Sequence, residues 1–260
     1  MTTPDYPAGT PNWLEVFTHE PDRAAEFYSA LFGWEVQDSG PDFGNYRTFH
    51  LDGRLIAGCM TNNMPPEVPN VWFTYFSTPD AAATVTAARA VGSDIQVEPE
   101  AIDHMGTMAV LSDTAGAMIG LWQPGSLKGV EAQGVAGTPS WFELHTLDYP
   151  AALTFYRDVL HWDLHTMSDE PHFRYSTYGS GDSQRAGIMD AAGRLPPGVP
   201  SHWAVYFAVT DTGATARQAA ELGGHVYQGA EDTPYGRIAT LSDPTGAMFR
   251  VRQVGASHDG

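Results

Sequence analysis

The side chains with the most chemical reach fall in two short strings, Trp13-Leu14-Glu15-Val16-Phe17 and Trp141-Phe142-Glu143-Leu144-His145. Both alternate as β-strands do, which puts Trp13, Glu15 and Phe17 on one face and Trp141, Glu143 and His145 on the corresponding face. A carboxylate on an inward face is costly to bury ionised without a partner, so each Glu must meet a cavity, a ligand or a base. Glu143 and His145 form a candidate acid/base pair for proton transfer. Arg250, on a later strand, could equally take Glu143 as a buried ion pair, and the sequence leaves both pairings open. A Glu-x-His face also offers two metal ligands, but a working site needs at least three donors at about 2 Å, and no third is in place.

Other chemistries find less. His161-Trp162-Asp163 has the spacing of two iron ligands, but it follows a helix where solvent exposure explains it. Cys59, the single cysteine, lies in the apolar run Leu55–Met60 and reads as a packed thiol; with one cysteine there is no intrachain disulfide and no thiolate zinc site. The chain contains no Gly-rich phosphate loop, Gly-x-Ser-x-Gly elbow or dinucleotide fingerprint, so no cofactor is expected.

The elements that must position these residues are organised by an internal repeat. WLEVFTHEPDRAAEFYSALFGWEV from Trp13 recurs as WFELHTLDYPAALTFYRDVLHWDL from Trp141. VWFTYF at Val71 matches HWAVYF at His202, and MAVLSDTAGAMIGLWQ at Met108 matches IATLSDPTGAMFRVRQ at Ile238. The copies span residues 11–123 and 139–253, and the Gly-rich, aperiodic stretch 124–138 reads as a linker. Each copy divides again into two strand–helix–three-strand halves. A helix opens at Pro21 and stops at Gly33, with Ala24, Phe27, Tyr28 and Leu31 at helical spacing. The expected fold is α+β: two tandem modules, each a pair of βαβββ units forming a half-open eight-stranded barrel, its two four-stranded sheets facing each other.

These texts, AAEFYSALFGW and ALTFYRDVLHW with LSDTAGAMIGLW and LSDPTGAMFRVR, resemble the vicinal-oxygen-chelate superfamily of glyoxalases, bleomycin-resistance proteins and extradiol dioxygenases, in its tandem two-module actinobacterial form. That group includes accessory proteins of aromatic polyketide antibiotic pathways. The resemblance implies a small-molecule cleft in each module and makes a planar aromatic natural product the expected ligand class. Metal-dependent members place ligands on the first, fourth, fifth and eighth strands of a module. The resemblance carries those positions onto Trp13 and Trp141, Gly58 and Gly187, Phe73 and Ala204, and Gly120 and Arg250. None is a good ligand and Arg250 would repel a cation, so no metal is expected.

Strand alternation lists what the clefts offer instead: Trp13, Glu15, Phe17, Phe73, Tyr75, Met118 and Trp122 in the first, and Trp141, Glu143, His145, Tyr206, Met248, Arg250 and Arg252 in the second. Turns carrying His104, Met105 and Tyr235 are expected at the cleft mouths. Aromatics and Met with few polar groups suit a flat, mostly apolar ligand, although the same stripe would serve simply as core. The function expected is a metal-free binding or accessory protein for a hydrophobic aromatic small molecule. The alternatives are a metal-independent acid/base enzyme using Glu143 and His145, then a metal-dependent lyase or dioxygenase with displaced ligands.

Composition narrows the partners. Lys and Arg number 13 against 31 Asp and Glu, a formal charge of −18 that argues against nucleic acid and anionic membrane surfaces. Residues 1–12 lack the basic and apolar regions of a secretion signal, and a cytoplasmic location is expected. Two fused modules can satisfy within one chain the pairing that single modules achieve by dimerising, which leaves monomer and homodimer both open.

Overall fold

The structure is a computed structural model describing residues 6–255; the first five residues of the N-terminal stretch and the last five of the chain lie outside it. The first module runs β1 (Pro11–Thr18), α1 (Pro21–Phe32), β2 (Glu35–Asp38), β3 (Arg47–Leu51), β4 (Arg54–Thr61), β5 (Val71–Ser77), α2 (Ala81–Ala90), β6 (Ile95–Ile102), β7 (Gly106–Ser112) and β8 (Met118–Pro124). The second repeats it with β9 (Pro139–Thr146), α3 (Tyr149–Val159), β10 (Leu164–Glu170), β11 (Phe173–Tyr178), β12 (Ala186–Asp190), β13 (His202–Val209), α4 (Thr212–Glu221), β14 (His225–Thr233), β15 (Gly236–Ser242) and β16 (Met248–Gln253). Pro21 sets the first helical turn of α1, and Gly33 at φ 75° closes it in the left-handed region that a side chain resists. Asp80, Asp148 and Asp211 cap α2, α3 and α4 through side-chain oxygens.

The expectation of two facing four-stranded sheets is corrected in one respect. β1 pairs antiparallel with β5, and β9 with β13, so each module is a single eight-stranded sheet, ordered β2-β3-β4-β1-β5-β8-β7-β6 in the first. The halves therefore join edge to edge, and the sheet curls without closing.

Alternation sorts β1 into two environments. Leu14 and Val16 are fully buried on the helix side, while Trp13, Glu15 and Phe17 line the cleft. The helix sides of both sheets face each other, so the core is one cluster spanning both modules. A polar lock repeats across this boundary. Tyr28 donates to Asp243 at 3.1 Å and accepts from Trp72, and Tyr156 donates to Asp113 at 3.0 Å and accepts from Trp203. Both Asp residues sit in the LSD turns of the repeat, where Asp113 also accepts from the backbone N–H groups of Ala115 and Ala117. The linker is fastened too. Val130 and Ala132 are buried, and Val130 N–H donates to Asn12. Asp113→Ala would take the acceptor from the buried Ala117 N–H, the part-buried Ala115 N–H and the Tyr156 hydroxyl, so its urea midpoint should fall by the equivalent of about 2 kcal/mol.

Cys59 is buried on β4, and burial pushes its thiol up to about 12, out of the range of a nucleophile. His161 is exposed with φ 57°, and Asp163 accepts from His165 instead of turning toward it. Trp162 between them donates to Gly9 in the interior.

Candidate functional site

Each cleft is built around its strand-one glutamate, and the two floors repeat atom for atom in plan. In the first, Tyr46, just ahead of β3, donates to Glu15 Oε2 at 2.6 Å, and Tyr75 on β5 donates to Oε1 at 2.7 Å. Trp13 Nε1 donates to the Tyr46 hydroxyl at 3.3 Å. In the second, Tyr175 on β11 donates to Glu143 Oε2 at 2.8 Å, Tyr206 on β13 donates to Oε1 at 2.7 Å, and Trp141 Nε1 donates to Tyr175 at 3.1 Å. Two phenols and an indole thus hold each carboxylate.

The glycines explain how the tyrosines fit. A Cβ on Gly58 would lie 1.8 Å from the Tyr46 hydroxyl, and one on Gly187 would lie 1.9 Å from that of Tyr175. A Cβ on Gly120 would lie 2.0 Å from the Tyr75 ring. Three of the positions carried over as metal-ligand sites are therefore bare so that a phenol ring can lie across them. Register adds that Glu15, not Trp13, stands level with Gly58 and Phe73, as Glu143 does with Gly187 and Ala204. Among the described residues no group of three or more His, Cys, Asp or Glu side chains is placed to hold a metal ion. The donor set does not fit a divalent cation: one carboxylate in each floor, its two oxygens already engaged by phenol hydroxyls, with rings over three of the carried-over strand positions.

The second cleft differs by its charges. Both pairings that the sequence left open are made at once. His145 Nε2 lies 2.8 Å from Glu143 Oε1, and Arg250 Nη1 lies 3.3 Å from the same oxygen while also donating to Tyr206. Oε1 therefore takes three donors and Oε2 one, which leaves the carboxylate ionised and poorly available as a base. Burial works against that charge, but the His145 bond, the Arg250 charge and Tyr206 outweigh it and hold Glu143 well below the usual carboxylate range. In the first cleft Phe17 replaces His145 and Gly120 replaces Arg250, so burial prevails over the three donors and Glu15 is raised. Burial also keeps His145 neutral to lower pH than usual.

The other expected residues are distributed as follows. Phe73 meets Tyr75 edge-on at 5.1 Å. Trp122 donates to Leu127 and lies over Gly106, and Met105 is tied to the linker through its carbonyl, so both seal one end of the first cleft. His104 is exposed and bonds Asp103. Phe17 is half-buried, and Met118 and Met248 lie exposed on the rims. Arg252 donates to the Ser140 carbonyl. Tyr235, in the β14–β15 turn and 53% exposed, reaches across the second cleft to stack on Tyr175 at 6.2 Å, and Phe173 stacks on Tyr175 at 5.7 Å.

Four participants were not read from sequence: Tyr46, Tyr175, Phe173 and His202. His202 pairs with His145 across β9 and β13, its ring 5.1 Å away. The interior glycines Gly58 and Gly187 were the available signal for the tyrosines, since a strand glycine often marks close approach of another group.

Comparison with known proteins agrees with this architecture. The family model for the Glyoxalase/Bleomycin resistance protein/Dioxygenase superfamily matches residues 10–121 and 138–251. The chain belongs to that superfamily. CFP32 of Mycobacterium tuberculosis, a protein carrying a glyoxylase name, is 36% identical over 252 residues, covering 95% of each chain. The anthracycline biosynthesis protein DnrV of Streptomyces peucetius is 34% identical over 265 residues, covering 95% of this chain and 94% of its own. Among solved structures, the Mn(II)-bound glyoxalase of Novosphingobium aromaticivorans superposes with a TM-score of 0.67 at 13% identity, over 97% of this chain and 83% of that one. The 2,3-dioxygenase LapB of Pseudomonas sp. KL28 gives 0.65 at 12%, over 96% and 94%. At such identities the two structures speak for the superfamily fold alone. Among the described residues no helix is long and apolar enough to cross a membrane.

Proposed function

We propose that this superfamily member binds a flat, fused-ring aromatic small molecule of polyketide type at the mouth of its second cleft, without a metal. The observation that carries the reading is the ladder Phe173–Tyr175–Tyr235 standing over a charged floor. Two near-parallel rings flank Tyr175, and the outermost is solvent-exposed on a hairpin turn. Such faces favour offset stacking on another π-system. The anthracycline biosynthesis named for two relatives points to ligands of that shape. Metal independence is supported by the phenols that cover the positions where ligands would stand.

A second reading, a metal-independent acid/base enzyme performing an isomerase, cyclase or hydroxylase-like tailoring step, is favoured by the 2.8 Å contact of His145 with Glu143. His145→Gln separates the two, because binding should survive it and turnover should not.

The test is quenching of tryptophan fluorescence by a hydroxyanthraquinone, using protein dialysed against a chelator. Binding should persist without metal, and Tyr235→Ala should weaken it by up to about tenfold, the worth of one aromatic stack. Binding that appears only when a divalent metal is restored, or that ignores Tyr235→Ala, would sink the reading.

A further inference from the structure

The second cleft holds two neutral imidazoles and one guanidinium that its own hydrogen bonds do not use up. His202 Nδ1 lies 2.9 Å from the Pro200 carbonyl, an oxygen that can only accept, so the proton is on Nδ1 and Nε2 carries a lone pair. Among the described residues nothing bonds Nε2, and His202 is half-buried on the cleft face of β13. Arg250 occupies the β16 position that is Gly120 in the first module. Only its Nη1 is engaged, with Glu143 and Tyr206; among the described residues nothing bonds Nε or Nη2, and its side chain remains 24% exposed. Its guanidinium carbon lies over the Tyr206 ring, 5.2 Å from the centroid. Arg250 and His145 share Glu143 Oε1, which fixes the guanidinium beside the imidazole pair. In the first cleft the matching residues are Phe17, Val71 and Gly120, so none of this chemistry exists there.

From this arrangement we infer that the second cleft takes its ligand through an acidic phenol or enol hydroxyl, which it binds as the oxyanion, with His202 Nε2 accepting the proton and Arg250 facing the charge. The inference rests on the proposed aromatic ligand and adds its ionisable group. In the step the ligand O–H bond breaks, an N–H bond forms at His202, and the electron pair stays on the ligand oxygen. A neutral ligand and a neutral imidazole become an oxyanion and an imidazolium, with no other reactant. Glu143, His145, Tyr175, Tyr206, Arg250 and Arg252 also face this space from β9, β11, β13 and β16. Burial, outweighing the Pro200 bond, and the charge of Arg250 set His202 below the usual histidine range, so it is unprotonated when the ligand arrives. Glu143, being saturated, balances the guanidinium without competing for the proton.

The probe is alizarin, whose phenol and phenolate differ in colour, with its di-O-methyl ether as the form that cannot ionise. On binding, the visible titration of alizarin should move down by about one pH unit or more, a tenfold or larger shift toward phenolate. Arg250→Gln and His202→Gln should each return the midpoint toward its free value, and Arg250→Lys should keep most of the shift because it keeps the charge. His202→Gln alters a half-buried side chain, so it serves where loss of Arg250 costs folding. A bound probe that titrates at its free midpoint, or an ether that binds as tightly as alizarin, overturns the inference while leaving aromatic binding intact. If neither compound binds, the ligand class fails and the inference falls with it.

Discussion

Glu143→Gln should destabilise the protein by about 4 kcal/mol at neutral pH, whereas Glu15→Gln should cost little and become favourable as pH rises. The two carboxylates share a floor plan, but only Glu143 is matched by a cation. Replacing it leaves Arg250 facing an uncharged amide, and removing one member of a buried ion pair costs on the order of 3–5 kcal/mol because the survivor keeps its desolvation penalty. Glu15 already carries that penalty unaided. The signs follow from the shifts. Glu143 is depressed in the folded state, so its contribution is present above the ordinary carboxylate range and is lost as pH falls through the depressed value. Glu15 is raised, so its contribution is present below that range and is lost as pH rises through the raised value. Urea unfolding at about pH 5 and about pH 8, spanning the region above the ordinary carboxylate value, reads both. The stability difference from wild type should stay large and unfavourable for Glu143→Gln at both pH values and drift in the favourable direction for Glu15→Gln at the higher one. Equal drifts in the two variants would refute the division of labour between the clefts.

Gly187→Ala should cost about 3 kcal/mol and abolish aromatic binding at the second cleft. Its methyl would lie 1.9 Å from the Tyr175 hydroxyl and 2.5 Å from the carbon bearing it, well inside van der Waals contact. Tyr175 must then leave Glu143, and with it go one floor hydrogen bond and the stacked partners Phe173 and Tyr235. Overpacking typically costs about 1–3 kcal/mol, and the orphaned carboxylate lone pair adds to it. The decisive measurement is a double-mutant cycle with Tyr175→Leu, which removes the hydroxyl and shortens the side chain. Gly187→Ala should be nearly harmless on that background, giving a coupling energy of about 3 kcal/mol. Additive losses would show that the glycine is needed for something other than the ring above it.

The repeat and the strand alternation in Trp13-x-Glu15 and Trp141-x-Glu143 determined a great deal about this protein. They placed the two modules and both inward glutamates, and they identified the aromatic character of the faces, because binary patterning and helix punctuation are local properties. They also showed that Gly58, Gly187 and Gly120 carry no ligand. Sequence did not show what occupies the space above those glycines. Tyr46 and Tyr175 lie 31 and 32 residues from the glutamates they hold, and alternation gives the face of a strand but not the reach of a phenol across the strand between. For the same reason the choice between His145 and Arg250 as partner of Glu143 had no answer in one dimension: both reach the same oxygen once β16 and β9 flank β13. The tyrosines of the helices, Tyr28 and Tyr156, were legible as core positions at helical spacing. That each hydroxyl would be claimed by an aspartate of the other module was decided only when the two sheets packed back to back, since a hydrogen bond between elements so distant in the chain exists only through the tertiary fold.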